Sequence, residues 1–165
     1  MVKNIFRAII ISLLIGFPAY AQLNKPQLHA IWKQSTKKIS DCEYDLIFTV
    51  TLDKDWHTFS IHPVKGAENE VFSTQIIFKS GKDYKLVGSL SESKPTPEWD
   101  ETINKNVMVH YNKVVFTQKV KLTSPNKIKI AGTYEYQVCK NVCDKPPHED
   151  FTFDLQGTSA CSAKK

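Results

Sequence analysis

The sequence predicts an all-β fold, an antiparallel β-sandwich, and three observations predict it. Apolar and polar residues alternate in short runs from Trp32 onward. Turn-forming residues punctuate those runs, and no stretch beyond residue 21 keeps a helical period over three turns. Eight or so short strands with this spacing suit two packed sheets better than any helical or mixed architecture.

The strands follow in order. In CEYDLIFTVTL (42–52), Tyr44, Leu46, Phe48 and Val50 share one face, while Glu43, Asp45, Thr49 and Thr51 supply the other. That period of two marks a half-buried strand. DWHTFSI (55–61) reads the same way more loosely; His57 and Phe59 share a face, and a histidine beside Trp56 is expected as a packed edge residue. VFSTQIIFK (71–79), YKLVGSL (84–90), VMVHY (107–111), KVVFTQKVKL (113–122), KIKIAGTYEYQV (127–138) and DFTFDL (150–155) complete the set. Asp53-Lys54-Asp55, Lys65-Gly66, Ser80-Gly81-Lys82, Tyr111-Asn112-Lys113 and Ser124-Pro125-Asn126 supply turns between them. SESKPTPEWDETINKN (91–106) breaks the rhythm: it is polar, holds Pro95 and Pro97, and reads as a long irregular loop with Trp99 as its large aromatic. The small, polar residues after Leu155 are expected to be loosely held.

The beginning of the chain sets the compartment. Lys3 and Arg7 precede an apolar block at 8–17, and Ala19-Tyr20-Ala21 has the small-x-small pattern of a cleavage site. Residues 1–21 are therefore expected to be a secretory signal peptide, leaving one domain at 22–165. The apolar block falls short of the ~20 residues of a membrane span, so no stable membrane insertion is expected after cleavage. Beyond Arg7 every basic residue is lysine, interleaved with acids as in KSGKDYK. Nucleic-acid binding, which leans on arginine for phosphate and base contacts, is not expected. No Gly-rich phosphate loop, HExxH or serine elbow occurs either.

Chemistry concentrates in YQVCKNVCDKPPHEDF (136–151), where Cys139 and Cys143 are three residues apart. All four cysteines, with Cys42 and Cys161, lie beyond the expected cleavage site, and an exported chain permits disulfides. Residues four apart on an extended strand are separated by ~13 Å, so pairing Cys139 with Cys143 requires Lys140-Asn141-Val142 to bend back. Asn141 tolerates the left-handed backbone that suits such a bend. In the chain-entropy model a five-residue loop stabilises by only ~2 kcal/mol, against nearly ~5 kcal/mol for the long loop between Cys42 and Cys161. Lys140 and Lys145 favour a thiolate near the pair, and Asp144 opposes it. Three readings stay open on these grounds: a staple, a metal site using Cys139, Cys143 and His148, or an exchanging disulfide. Zinc usually shows a second ligand pair, and copper carriers often use methionines, of which only Met108 lies beyond the leader. Metal is not expected.

The same blocks resemble a known family. Trp32, ISDCEYDLIFTVTLDKDWHTFS, ESKPTPEWDE, VVFTQKVKL, and GTYEYQVCKNVCDKPP followed by FTFDL are similar, in order and spacing, to the N-terminal periplasmic domain of the thiol:disulfide interchange protein DsbD, as found in Bacteroidetes-like bacteria. The resemblance implies an immunoglobulin-like sandwich and a periplasmic location. It also implies an active cysteine pair that receives electrons from a thioredoxin-like protein or domain and passes them to periplasmic thiol proteins, without a cofactor. It makes Cys143 the nucleophile that forms the mixed disulfide and Cys139 the partner that resolves it. It further implies a mobile cap over the pair, with Trp99 in the segment where that cap falls. Cys42 and Cys161 stand outside the family's active pair and read as a structural staple or as free thiols. The alternative is a non-catalytic binding module on the same fold, with the pair as a structural disulfide. The chain departs from the family in its spacing: the family usually has four or five residues between the cysteines. A one-position shift on an extended segment would turn the second sulfur to the opposite face. The family's membrane and thioredoxin-like domains are not within this sequence, so separate partners are expected.

Overall fold

A computed structural model describes residues 29–62, 73–101 and 103–162. The expected signal peptide and the Lys65-Gly66 turn lie outside the described residues. The strands are β1 (Ala30–Lys38), β2 (Glu43–Leu52), β3 (His57–Phe59), β4 (Gln75–Phe78), β5 (Tyr84–Glu92) and β6 (Thr96–Asp100). They continue with β7 (Lys105–Tyr111), β8 (Lys113–Leu122), β9 (Lys127–Glu135), β10 (Val138–Cys139), β11 (Cys143–Asp144) and β12 (Glu149–Gln156). Hydrogen bonds order them as β1-β2-β8-β5, β11-β10-β3-β7-β6 and β12-β9-β4, all antiparallel. The fold is an immunoglobulin-like sandwich.

The period-two faces make the core. Leu46, Phe48 and Val50 of β2, with Phe116 and Val120 of β8, are fully buried. They meet Ile130 of β9 and Phe151 and Phe153 of β12. Phe48 packs edge-on against Phe151 and Phe153 with ring centroids 4.9 and 5.3 Å apart. Trp32 of β1 stacks on Tyr134 of β9 at 4.1 Å. Burying large aromatics edge-on satisfies their quadrupoles as well as removing apolar area from water. At Gly132 a Cβ would stand 2.2 Å from the Ile77 carbonyl oxygen, so β9 can approach β4 only with glycine there.

Three departures from the sequence reading position the site. First, 91–106 is not an irregular loop. β5 runs on to Glu92, Trp99 lies in β6, and β6 and β7 form a hairpin at the sheet edge. Pro97 is tolerated there because an edge strand leaves one row of N–H positions without a ladder partner. Second, the 127–138 run breaks at Tyr136–Gln137, so β9 stays in one sheet while β10 joins another. Successive residues face opposite ways, which sends Val138 into the main core and Cys139 to the outer face. Third, the tail is held: Ser159–Cys161 forms a short 3-10 turn, and Cys161 is buried and bonded to Cys42.

A buried polar latch joins two sheets. Glu92 at the end of β5 meets His110 of β7, with Nε2 to Oε2 at 2.9 Å, and both side chains are almost wholly enclosed. Ser60 donates its hydroxyl, and Ile61 its backbone N–H, to the same carboxylate. The partners compensate the cost of burying a charge.

Candidate redox site

β10 and β11 form a very short hairpin in which Cys139 and Cys143 are direct partners, with Cα atoms 4.1 Å apart and the sulfurs bonded. The bend uses a hydrogen bond from the Lys140 N–H to the Val142 carbonyl at 3.0 Å. Asn141 does not take the left-handed backbone the sequence suggested; Asp55, Asn104 and Asn112 do, each in a turn. Since the chain reverses at 140–142, the one-residue shift in spacing does not turn the second sulfur away. Pro146-Pro147 falls between β11 and β12, where no ladder bond is needed.

The two sulfurs differ in surroundings. Cys139 is 3% exposed, whereas Cys143 is exposed. Cys139 packs with Phe59, Val107 and Val109 in a small second core on the outer face of the five-stranded sheet. Ile103, from the β6–β7 turn, closes over that cluster. Gln137, two residues before Cys139, places its Nε2 3.6 Å from the Cys139 sulfur, while its Oε1 is buried without a hydrogen-bond partner.

Beside the pair lies a cleft of about 220 Å³ lined by both cysteines, His57, Phe59, Trp99 and neighbouring charged groups. Those groups are Glu98, Asp100 and Glu101 on one side and Lys140 on the other. Trp99 is more than half exposed, so its ring stands at the rim. Burial pulls the His57 imidazole down, against the opposing charges of Glu98 and Asp100. Tyr111 donates its hydroxyl to Glu98; burial and that carboxylate push its pKa up to about 12.

Ion pairs tie the hairpin to the β2–β3 turn. Lys140 Nζ lies 3.2 Å from Asp55 Oδ2, and Asp144 Oδ2 lies 3.9 Å from His29 Nε2. His29 in turn stacks on Trp56 at 3.5 Å and bonds Asp53 through Nδ1 at 2.9 Å. Lys140 is thereby held beside the hairpin by Asp55. Among the described residues no three His, Cys, Asp or Glu side chains form a cluster able to hold a metal ion. Gln137 and Ile103 are neighbours the sequence reading passed over, and His57 is one it took only for a packed edge residue. Two of them carried a signal, since each stands on a period-two face leading into or opposing the cysteines.

Fold and site together define an immunoglobulin-like sandwich that carries a paired, half-exposed disulfide at the end of one sheet. The chain belongs to the family of the thiol:disulfide interchange protein DsbD, N-terminal domain, whose profile matches residues 26–155. Among solved structures, the N-terminal periplasmic domain of ScsB from Proteus mirabilis is similar over 84% of this chain at 20% identity, with a TM-score of 0.52. The chain spans about half of that structure, 52% of its length. The reduced N-terminal domain of DsbD from Neisseria meningitidis is similar over 83% of this chain and 92% of its own, at 15% identity and a TM-score of 0.50. At these identities the likeness is one of fold. No curated protein matches the chain.

Proposed function

We propose that this protein is a periplasmic thiol:disulfide interchange carrier that accepts two electrons from a thioredoxin-like donor and passes them to periplasmic thiol proteins through Cys139 and Cys143. Residues 1–21 are the export signal and 22–165 the working domain. The observation that carries the reading is the asymmetry of the pair: one sulfur is open to a partner and the other is enclosed beside it.

A donor thiolate attacks the Cys143 sulfur, and the electron pair of the S–S bond leaves on Cys139. The donor's second thiolate then attacks the donor sulfur of the mixed disulfide and releases Cys143 as a thiolate. In the second half, Cys143 attacks an acceptor disulfide; Cys139 then attacks Cys143, re-forms the internal bond and expels the acceptor thiolate. The chemistry needs two sulfurs, access and a thiolate, and no cofactor. The β6–β7 hairpin, with Trp99 at the rim and Ile103 against the cluster that holds Cys139, acts as the cap that limits access between partners. Cys42–Cys161, spanning 119 residues of sequence, is the staple.

A redox titration of the 22–165 protein, with thiol labelling and mass mapping of all four cysteines, tests this. The expected result is a Cys139–Cys143 couple within the range of exchange proteins, about −120 to −270 mV. A pair that resists reduction below about −300 mV would leave a binding module with two structural disulfides. Cys143→Ser should abolish transfer from a thioredoxin-like donor while the domain stays folded.

A further inference from the structure

Strand register lines up a row of side chains across the outer face of the redox sheet. Cys143 is opposite Cys139, Cys139 is opposite His57, and His57 is opposite Tyr111. Direct partners in an antiparallel ladder project to the same side with Cβ atoms ~4.5–5.5 Å apart. His57 is thus the titratable neighbour of the enclosed sulfur, on the side away from Cys143. The residue is 8% exposed, its ring is held edge-on by Phe59 at 5.6 Å and by Tyr111 at 5.4 Å, and it lines the cleft that the cysteines share.

We propose that His57 is the proton partner of Cys139, giving a proton to that sulfur when the disulfide opens and taking it back when the disulfide closes. This deepens the carrier reading and rests on it for its biological meaning. When an attacking thiolate bonds to Cys143 Sγ, the S–S electron pair goes to Cys139 Sγ, and the His57 imidazolium transfers its proton there. In the closing direction, neutral His57 accepts the Cys139 proton as that sulfur attacks Cys143 in the mixed disulfide. The departing partner leaves as a thiolate. Electrons and protons balance without any further reagent. A sulfur enclosed by Phe59, Val107, Val109 and Ile103 gains from such a donor, because an apolar wall gives little help to an isolated thiolate.

Charged and titratable groups from each neighbouring element contact His57 or line its cleft. β6 contributes Glu98 and Asp100, the β6–β7 turn Glu101, β7 Tyr111, and the redox hairpin Lys140. His110, paired to Thr58, lies on the opposite face of the sheet from this row. Burial lowers the imidazole pKa below its ordinary value, and Glu98 and Asp100 partly offset that. A neutral ring ready to become an imidazolium suits a group that must pass a proton both ways.

The test is the rate at which dithiothreitol reduces the Cys139–Cys143 bond between pH 5 and 8. Without a proton donor, the rate follows the reagent's thiolate fraction and falls roughly tenfold per pH unit. In the wild-type protein that fall should be interrupted by a plateau above the imidazole pKa, itself under the usual ~6.5, because there the thiolate lost is matched by imidazolium gained. Below that pKa the fall resumes. His57→Phe, which keeps a ring against Phe59 and Tyr111, and His57→Gln, which keeps a polar group, should both restore the uninterrupted fall. Both should therefore be reduced roughly tenfold more slowly than wild type near pH 5. A wild-type profile with no levelling overturns the proposal whatever the variants do. So does levelling that survives in either folded variant. Because a small thiol replaces the protein donor, failure to exchange with a thioredoxin-like protein would overturn the carrier reading and leave this result standing.

Discussion

Gln137 Nε2 stands 3.6 Å from the sulfur of Cys139 and points an N–H at the atom on which negative charge builds as the disulfide opens. A donor aimed there stabilises the reduced state more than the oxidised one, since the electron-rich reduced sulfur accepts better than a disulfide sulfur. Gln137→Leu should therefore make the Cys139–Cys143 potential more negative. One such hydrogen bond is worth ~1–2 kcal/mol, or roughly 20–40 mV for a two-electron couple. Equilibration against a glutathione series reads the shift directly, and an unchanged potential would mean that the amide merely packs.

The latch between Glu92 and His110 predicts an acid limit to stability. Burial would raise the Glu92 carboxyl, but hydrogen bonds from His110, Ser60 and the Ile61 N–H, with the charge of His110, hold it below the ordinary carboxylate range. A depressed folded pKa contributes stability that is fully present above the unfolded value of ~4.3 and is lost as pH falls through the folded one. Thermal melts of wild type should decline as pH drops below about 5, and Glu92→Gln should blunt that decline. At pH 7 the same variant should be less stable by roughly 1–3 kcal/mol, because a buried network loses its charged acceptor. Equal acid sensitivity in both proteins would place the limit elsewhere.

Cys42 and Cys161 join the residue before β2 to the 3-10 turn after β12, with Cα atoms 5.3 Å apart and a sequence separation of 119. Cys161 is buried in the main core, whereas Cys139 of the exchanging pair packs in the separate outer cluster. Cys42→Ser combined with Cys161→Ser should cost on the order of 4–5 kcal/mol in the chain-entropy model. Denaturant unfolding measures that loss. The potential of the Cys139–Cys143 couple should not change in the same variant, which separates a staple from a second redox centre.

Period two made most of the sandwich legible. β2, β8, β9 and β12 alternate so regularly that their inward faces could be read residue by residue, and Leu46, Phe48 and Val50 are fully buried. β6 was not legible, because its sequence, Thr-Pro-Glu-Trp-Asp, lacks alternation and an edge strand needs none. Its pairing with β7 is decided by tertiary context. The tail misread for a related reason: Cys161 is anchored by a covalent partner that lies outside local pattern. At the site the cysteines stood out, yet their environment did not. Only the register of β10 against β3 brings His57 beside Cys139, and register across a long stretch of sequence leaves no local mark.

Ile103 is the one aliphatic residue in the β6–β7 turn, and it touches the cluster that encloses Cys139. Removing it should open the enclosed side of the disulfide without disturbing the main core, because the two clusters are separate. Ile103→Ala is expected to speed reduction by dithiothreitol several-fold at pH 7, with about 1 kcal/mol or less lost in denaturant unfolding. Trp99→Ala, at the exposed rim, should speed it less, since the Trp99 ring covers the cleft from outside rather than touching the buried sulfur. If the ranking is reversed, Trp99 rather than Ile103 is the cap. If neither substitution changes the rate, the hairpin does not limit access to the pair, and the exposure of Cys143 alone governs its exchange.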